Sequence, residues 1–365
     1  MGIDMVREQV IEIIYAPLIG GSETLALDLS RRWRAAGVDV RICCLYERAG
    51  ALTSQFDAAG VPYDLLDIGG KRALGRALAV ARYLRRHRPR AVHVHHFGIL
   101  LNVLPAALIT GCPTVVFTEH SIFGISRKPW MRRAVRWVTR FVSKMTCVSS
   151  TLVEYFGTLG VAHDKMALVY NGVDTHKFQP PLPPRTASAI PRIIAVGRLV
   201  EEKDYPALLQ ALRILKDRGI AFSAEIVGTG PLAAVLAAER ADLGLDQEVQ
   251  FLGRREDIAA LLRAADIYVL SSKSEGMPIA LLEAMATGLP TVATAIAAVP
   301  EVIVHEVNGL LVPPADVQAL ADGMARLIAD PALRARIGQR GLVDVAKLFS
   351  IENTTQLYAE YLGIG

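Results

Sequence analysis

The segment SSKSEGMPIALLEAMATG, Ser271 to Gly288, places two carboxylates, Glu275 and Glu283, eight residues apart among side chains that are mostly apolar or small. A buried carboxylate is costly unless it is paired or hydrogen-bonded, so each needs donors. At first sight the two form a candidate acid/base pair. A ligand rich in hydroxyls would satisfy them as well, and an internal ion pair or a helix-capping carboxylate is the structural alternative. Upstream, GRLVEEKDYPALLQAL (Gly197 to Leu212) carries Arg198 and Lys203, a planar fork and a point charge suited to phosphate. As surface cations beside Glu201 and Glu202 they would need no ligand, and this segment alone leaves the two readings even. Histidines gather in HVHH (93–96) and TEH (118–120). Strand alternation sends His93 and His95 to one face and His96 to the other, which favours core-edge or acceptor-side histidines over a metal cluster. His120 alone is a weak signal, strengthened by its place at a strand end.

Positioning these groups takes parallel sheet. Residues 9–16, 38–46, 61–68, 91–97, 114–120, 144–150 and 166–172 read as strands with helical patterns between most of them, and Gly37, Gly60 and Gly111 stand where helices should stop. Alternating βαβ units imply a parallel sheet covered on both faces. Gln179 to Pro191 then holds five prolines in thirteen residues, which neither helix nor central strand tolerates. The alternation restarts at 192–198, 223–230, 248–254, 265–272, 290–294 and 309–314. The reading is an α/β chain of two tandem Rossmann-like domains, 1–179 and 192–345, joined by a linker at 180–191. A helical tail, 346–365, is expected to pack away from its own domain.

Ligands of open α/β sheets bind at the carboxyl ends of the strands. Arg198 and Lys203 follow the strand at 192–198, with Asp204 as a helix cap ahead of Pro206. Glu275 follows the strand at 265–272. The helix opening at Pro278 turns the N–H groups near Gly276 and Met277 toward the same crevice, which favours anions, and Glu283 leans back toward that loop. Cations and carboxylates converge on one edge of the second domain, which favours the ligand reading.

GRLxxxK, VGTGP (Val227 to Pro231), SEGMPIALLEAMATGLPTVAT and VPEVI…NGLLV, in this order and spacing, resemble the retaining GT-B glycosyltransferases of glycosyltransferase family 4, and the two glutamates match that family's E-x7-E pattern. The amino-terminal half resembles it more loosely, through Gly20-Gly21-Ser22-Glu23, HVHH, TEH and NGVD (171–174). The resemblance implies a GT-B fold, with parallel sheets facing a central cleft, and transfer of a sugar from a nucleotide diphosphate donor with retention of configuration. The first domain would bind the acceptor and the second the donor. By position, Arg198 and Lys203 would hold the diphosphate, Glu275 the donor sugar's hydroxyls and Glu283 the ribose. Gly228, Gly230, Gly276, Met277, Pro278 and Ile279 would line the donor site. Gly20 and Gly21 would let backbone close on the diphosphate, His120 would reach the sugar near the reaction centre, and His95, His96 and Asn171 would stand on the acceptor side. The implied catalytic set is His120, Arg198, Lys203 and Glu275, with Glu275 a binding group rather than a nucleophile. Fixed cations and a helix-end dipole would stabilise the leaving diphosphate. No D-x-D triplet occurs, so neither a metal nor a cofactor is expected. One departure stands in AIAAVPE, where many relatives carry a Gly pair at Ala297 and Ala298. Alanine resists positive φ, so this loop is expected to sit differently against the ligand.

The chain has 365 residues, just over half of them hydrophobic, and a net charge of +4, a globular rather than disordered composition. Cys43, Cys44, Cys112 and Cys147 show no metal spacing and fit thiols in a reducing compartment. A start unlike a signal peptide, and no apolar run of the ~20 residues that span a bilayer, point to a cytoplasmic protein. Arg127 to Lys144 mixes cations with Trp130, Trp137 and Phe141, and residues 81–90 are also basic. Such a face suits an anionic membrane surface on the inner side of the plasma membrane; no nucleic-acid motif accompanies it. The expected partners are a nucleotide sugar, UDP favoured over GDP on family frequency, and a glycan or lipid-linked acceptor of cell-envelope or exopolysaccharide synthesis. One rival is a nucleotide-sugar epimerase or hydrolase on the same fold, which donor turnover without acceptor would reveal. The other is a non-catalytic nucleotide-sugar-binding protein, disfavoured because both cations and both glutamates are present.

Overall fold

The computed structural model describes residues 9–18, 20–46, 50, 52–126, 128–182 and 190–364. The chain divides into two compact units, Met1–Gly172 with Ile351–Gly365, and Val173–Ser350. The division falls at Gly172 and Val173, ahead of the proline-rich stretch, whose residues 183–189 lie outside the described ones.

The first unit is built on seven strands, β1 (Gln9–Ile14), β2 (Asp39–Cys44), β3 (Tyr63–Leu65), β4 (Ala91–His95), β5 (Thr114–Glu119), β6 (Lys144–Cys147) and β7 (Met166–Leu168), in the order β3-β2-β1-β4-β5-β6-β7. Every pairing is parallel. Its helices are α1 (Gly21–Ala35), α2 (Thr53–Ala58), α3 (Ala73–His87), α4 (Phe97–Thr110), α5 (Phe123–Ser126), α6 (Pro129–Val138) and α7 (Ser150–Thr158). The second unit has six parallel strands, β8 (Arg192–Val196), β9 (Ser223–Val227), β10 (Val249–Gly253), β11 (Ile267–Leu270), β12 (Thr291–Thr294) and β13 (Leu310–Val312), in the order β10-β9-β8-β11-β12-β13. It carries α8 (Tyr205–Asp217), α9 (Ala233–Asp242), α10 (Ile258–Ala264), α11 (Ile279–Ala286), α12 (Val299–Val302), α13 (Val317–Ala329) and α14 (Pro331–Leu348). The strand order reverses between β1 and β4 and again between β8 and β11, the places where an open α/β sheet leaves a crevice at its carboxyl edge.

All thirteen expected strands are present. Most stop short of their expected carboxyl ends, because the chain leaves the sheet there to form the functional loops. The strands are apolar on both faces because helices cover both, and β1, QVIEII, is buried from Val10 to Ile14. The helix stops are as expected at Gly37, Gly60 and Gly111, with φ of +88°, +62° and +70°, conformations that cost glycine little.

A last helix, α15 (Ile351–Leu362), belongs to the first unit. It buries Ile351, Tyr358 and Leu362 against Val10, Leu25, Leu29, Trp33 and Val116. The Trp33 indole N–H donates to Thr355 O, and the Tyr358 hydroxyl lies 3.2 Å from Thr118 Oγ1.

Candidate functional site

In the second unit the site is assembled where β8 and β11 end. Gly228 takes φ +142°, and a Cβ on it would lie 1.9 Å from Gly197 O; one on Gly230 would lie 2.3 Å from Leu199 O. Both glycines therefore have a packing reason of their own. They let the loop after β9 press on the loop after β8, where Leu199 N donates to Thr229 O. A Cβ on Gly197 would meet Lys203 Cε at 3.1 Å, so Gly197 leaves room for the lysine stem. Lys203 then reaches Glu275, whose Oε1 it pairs with, and Ser272 Oγ donates to the same oxygen at 2.6 Å. The loops are tied further by Ser271 Oγ donating to Lys203 O at 2.9 Å and Lys273 N donating to Glu202 O at 2.8 Å.

Arg198 is exposed, and among the described residues its guanidinium has no partner. Asp204 stands at the start of α8, but its side chain makes no capping bond. With φ +49° it is turned away from the helix and pairs with Lys273 Nζ at 2.9 Å, so the expected cap is replaced by an ion pair. Pro278 is the N-cap of α11, which begins at Ile279. Met277 and Pro278 are buried, while Gly276, Ile279 and Glu283 are half-buried. Burial, then the neighbouring Tyr205, Glu275 and Glu283 in that order, pushes the hydroxyl of Tyr268 well above the ordinary range. In the loop after β12, Ala297 adopts φ +41° and Ala298 φ −80°. Ala297 thus takes the positive φ that alanine resists, at a cost in strain.

In the first unit a second cluster forms at the ends of β4 and β5. Gly20, the N-cap of α1, is extended at φ −152°, a conformation open to any residue. Its missing side chain matters for space, since a Cβ would lie 2.5 Å from Glu23 Oε2. Gly21 is the exposed first residue of α1. Ser22 Oγ donates to Glu23 Oε2 at 2.8 Å and lies 2.9 Å from His96 Nε2, while His96 Nδ1 lies 3.3 Å from Glu119 Oε1. Glu119 also accepts from the backbone N–H groups of Phe97 and His120. Burial works against protonated His96, but the hydrogen bond and charge of Glu119 outweigh it and raise its pKa.

His93 and His95 share one face, as alternation requires, and both meet Glu12. His93 Nδ1 is 2.9 Å from Glu12 Oε1, and His95 Nε2 is 2.7 Å from Glu12 Oε2. His95 Nδ1 lies 2.9 Å from His120 Nε2. His96 departs from simple alternation. The strand has ended, its φ is +72°, and its ring centroid comes within 5.0 Å of that of His120. A non-glycine residue in this region is a strained position of the kind that gathers at functional sites. Burial, then the neighbouring His93, pushes His95 down to about 4. Burial and the surrounding histidines hold His120 well below its ordinary value. Asn171 is 3% exposed in a segment covered by α15, where Thr354 Oγ1 donates to Tyr170 O.

Glu12, Glu119 and Ser22 were not among the candidates read from the sequence. Glu12 had a signal: it is the one charge between apolar residues of a strand buried on both faces, and such a carboxylate requires partners. Glu119 and Ser22 had none beyond adjacency to His120 and Gly21.

On the surface of this unit, α6 buries Val135 and exposes Trp130 and Trp137, with Phe141 exposed just beyond it. The Arg140 guanidinium stacks over the Trp137 ring at 4.3 Å. Arg127 lies outside the described residues. No helix among the described residues is long and apolar enough to cross a membrane.

Residues 19–177 match the family model Glycosyltransferase Family 4, and residues 185–343 match the model Glycosyl transferases group 1. Over 342 residues the chain is 27% identical to the UDP-Gal:alpha-D-GlcNAc-diphosphoundecaprenol alpha-1,3-galactosyltransferase of Escherichia coli, with 87% of each protein covered. It is 39% identical over 178 residues to the amylovoran biosynthesis glycosyltransferase AmsK of Erwinia amylovora, a match spanning 46% of this chain and 43% of that protein. Among solved structures, Anabaena Alr3699/HepE in complex with UDP and glucose aligns with a TM-score of 0.85 at 22% identity, over 98% of this chain and 99% of that one. That likeness, and an equal TM-score to a glycosyltransferase of Rickettsia africae ESF-5 at 20% identity over 98% of this chain and 99% of that one, establish the GT-B fold. Matched by one model along its first unit and by the other along its second, the chain belongs to glycosyltransferase family 4.

Proposed function

We propose that the chain is a retaining glycosyltransferase that moves a sugar from a UDP-sugar to a glycan or lipid-linked acceptor of the cell envelope or exopolysaccharide. The observation that carries this reading is Arg198, an exposed cation with no described partner, set two residues past the end of β8 in the loop that brings Lys203 to Glu275. An unpaired guanidinium beside a carboxylate-held lysine is a ready binding site for diphosphate. Lys203, paired with Glu275 in the free chain, would be shared with a phosphate oxygen, leaving Glu275 to accept from sugar hydroxyls. His120, by the family resemblance, faces the donor sugar. Uridine is supported by the UDP complex of the Anabaena relative and the UDP-Gal in the name of the Escherichia coli one. The latter's diphosphoundecaprenol substrate also supports a lipid-linked acceptor, and the aromatic and cationic face of α6 is suited to meet a membrane carrying it.

Thermal-shift measurement with UDP- and GDP-sugars tests the donor. A UDP-sugar in hundredfold excess over its Kd should stabilise the protein by roughly 3 kcal/mol, and Arg198→Ala should remove most of that shift. An undiminished shift in the variant would sink the assignment. Product anomer analysis by NMR tests retention, and free sugar or epimer formed without acceptor would favour the hydrolase or epimerase reading.

A further inference from the structure

Glu12 is fully buried, and both of its oxygens face ring nitrogens of buried histidines, Oε1 that of His93 and Oε2 that of His95. An ionised carboxylate only accepts hydrogen bonds. Burial alone would raise the Glu12 pKa, but its two histidine partners hold it below the ordinary value, so it is ionised near neutral pH. Each ring must then place a proton on the nitrogen facing Glu12. For His95 that nitrogen is Nε2. His95 is neutral, so its Nδ1 carries a lone pair, and this lone pair faces His120 Nε2 at 2.9 Å. Two nitrogens in that contact need one proton between them, and only His120 can supply it. His120 is itself neutral, so its remaining nitrogen, Nδ1, has none. That nitrogen has no partner among the described residues.

We propose that Glu12 is a positioning residue which, acting through His95, holds His120 in the tautomer with its proton on Nε2 and leaves Nδ1 as a bare acceptor for a ligand hydroxyl. The assignment of that ligand as the donor sugar rests on the function proposed above; the tautomer does not. A bare nitrogen accepts from O–H and repels phosphate oxygens, so it selects a sugar hydroxyl over the diphosphate. It is the logic by which a buried carboxylate sets the tautomer of a catalytic histidine in serine proteases, extended here by one imidazole.

Glu12, His93 and His95 also bring potential metal-ligating atoms within 4.8 Å of one another. A cation there would have to displace both N–H protons that Glu12 now accepts, and the relay to His120 would be lost with them.

The test is a long-range 1H–15N correlation spectrum of the full-length protein labelled with 15N-histidine, near neutral pH. His120 is assigned by the signals lost in His120→Asn. The expected result is a protonated Nε2 and an unprotonated Nδ1. In Glu12→Leu, similar in length but without an acceptor, His120 should divide between tautomers, and kcat/KM for the donor should fall in proportion to the tautomer lost, about twofold at an even division. A wild-type His120 protonated on Nδ1, a Glu12→Leu spectrum with His120 unchanged, or one divalent ion per chain retained by the purified protein would each overturn the proposal. Should Glu12→Leu fail to fold, the wild-type spectrum decides alone. Full transfer activity in His120→Asn would instead sink the reading of His120 as a donor-sugar contact, and the spectrum would still judge the tautomer.

Discussion

Ala297 shows how a single backbone angle couples sequence to the site. It lies at φ +41° with its methyl exposed, in a region that costs an L-residue roughly 1–2 kcal/mol. Ala297→Gly removes that strain but gives the unfolded chain more freedom, so the net gain is about 0.5–1 kcal/mol. It should appear as a rise in the chemical-denaturation midpoint, and a fall would show that the methyl makes a contact worth more than the strain. The same scale marks the limit of sequence reading. Arg198, Lys203 and Glu275 were legible as charges at strand ends, but that Lys203 and Glu275 meet as an ion pair in the free chain was only one of the alternatives left open. Gly228 and Gly230 were legible as special positions, but their packing against Gly197 and Leu199 was not, since it depends on how two loops cross. Strand alternation could not place His96, because the strand ends at His95 and His96 leaves it at φ +72°.

At the scale of elements, α11 must be held still for Glu275 and Glu283 to keep their places, and α14 is what holds it. Gly338, in the interior of α14, lies so close that a Cβ on it would stand 2.2 Å from Gly288 O, at the turn that ends α11. In an open helix a Gly→Ala change gains up to ~1 kcal/mol. Here the sign reverses, because backbone cannot move aside as a flexible side chain can. Gly338→Ala should cost about 1–3 kcal/mol, the usual penalty of overpacking, and should weaken donor binding by shifting α11. Gly98→Ala in α4, where nothing lies within 4 Å of the new Cβ, is the control. Equal stability changes in the two variants would refute the packing argument. The strands were legible from their apolar runs, and α11 from Pro278 and Gly288. That α14 and α11 touch through a glycine was not, because a helical glycine carries no sign of which neighbour it admits.

For the molecule as a whole, the two units differ in how they respond to acid. The buried histidines all lie in the first unit, whereas His176 and His305 of the second are exposed. His95, with a pKa of about 4, and His120, lowered further by burial and its neighbours, stay neutral in the folded protein well below the ordinary value of 6.5. The unfolded chain binds those protons and the folded one does not. Stability therefore falls as pH drops below 6.5, by roughly 1.4 kcal/mol per pH unit for each group. His87, lowered by burial and then by Arg41, adds in the same direction. His96 has the opposite sign. Its raised pKa gives a stabilising contribution that is complete below 6.5 and fades as pH rises through the raised value, so it adds no slope on the acid side. Glu12, lowered in the fold, keeps its contribution above its ordinary value of 4.5 and loses it only in stronger acid. All three tryptophans, Trp33, Trp130 and Trp137, belong to the first unit, so tryptophan fluorescence reports its melting alone. The fluorescence midpoint should fall steeply as pH is lowered from 6.5 toward 5, while the part of the calorimetric unfolding not seen by fluorescence moves much less. His120→Gln, which removes one of the two strongly shifted groups, should bring the slope close to half. A fluorescence midpoint that stayed flat or rose over that interval would mean the cluster takes up protons in the folded state, and the neutral His95–His120 contact would have to be abandoned.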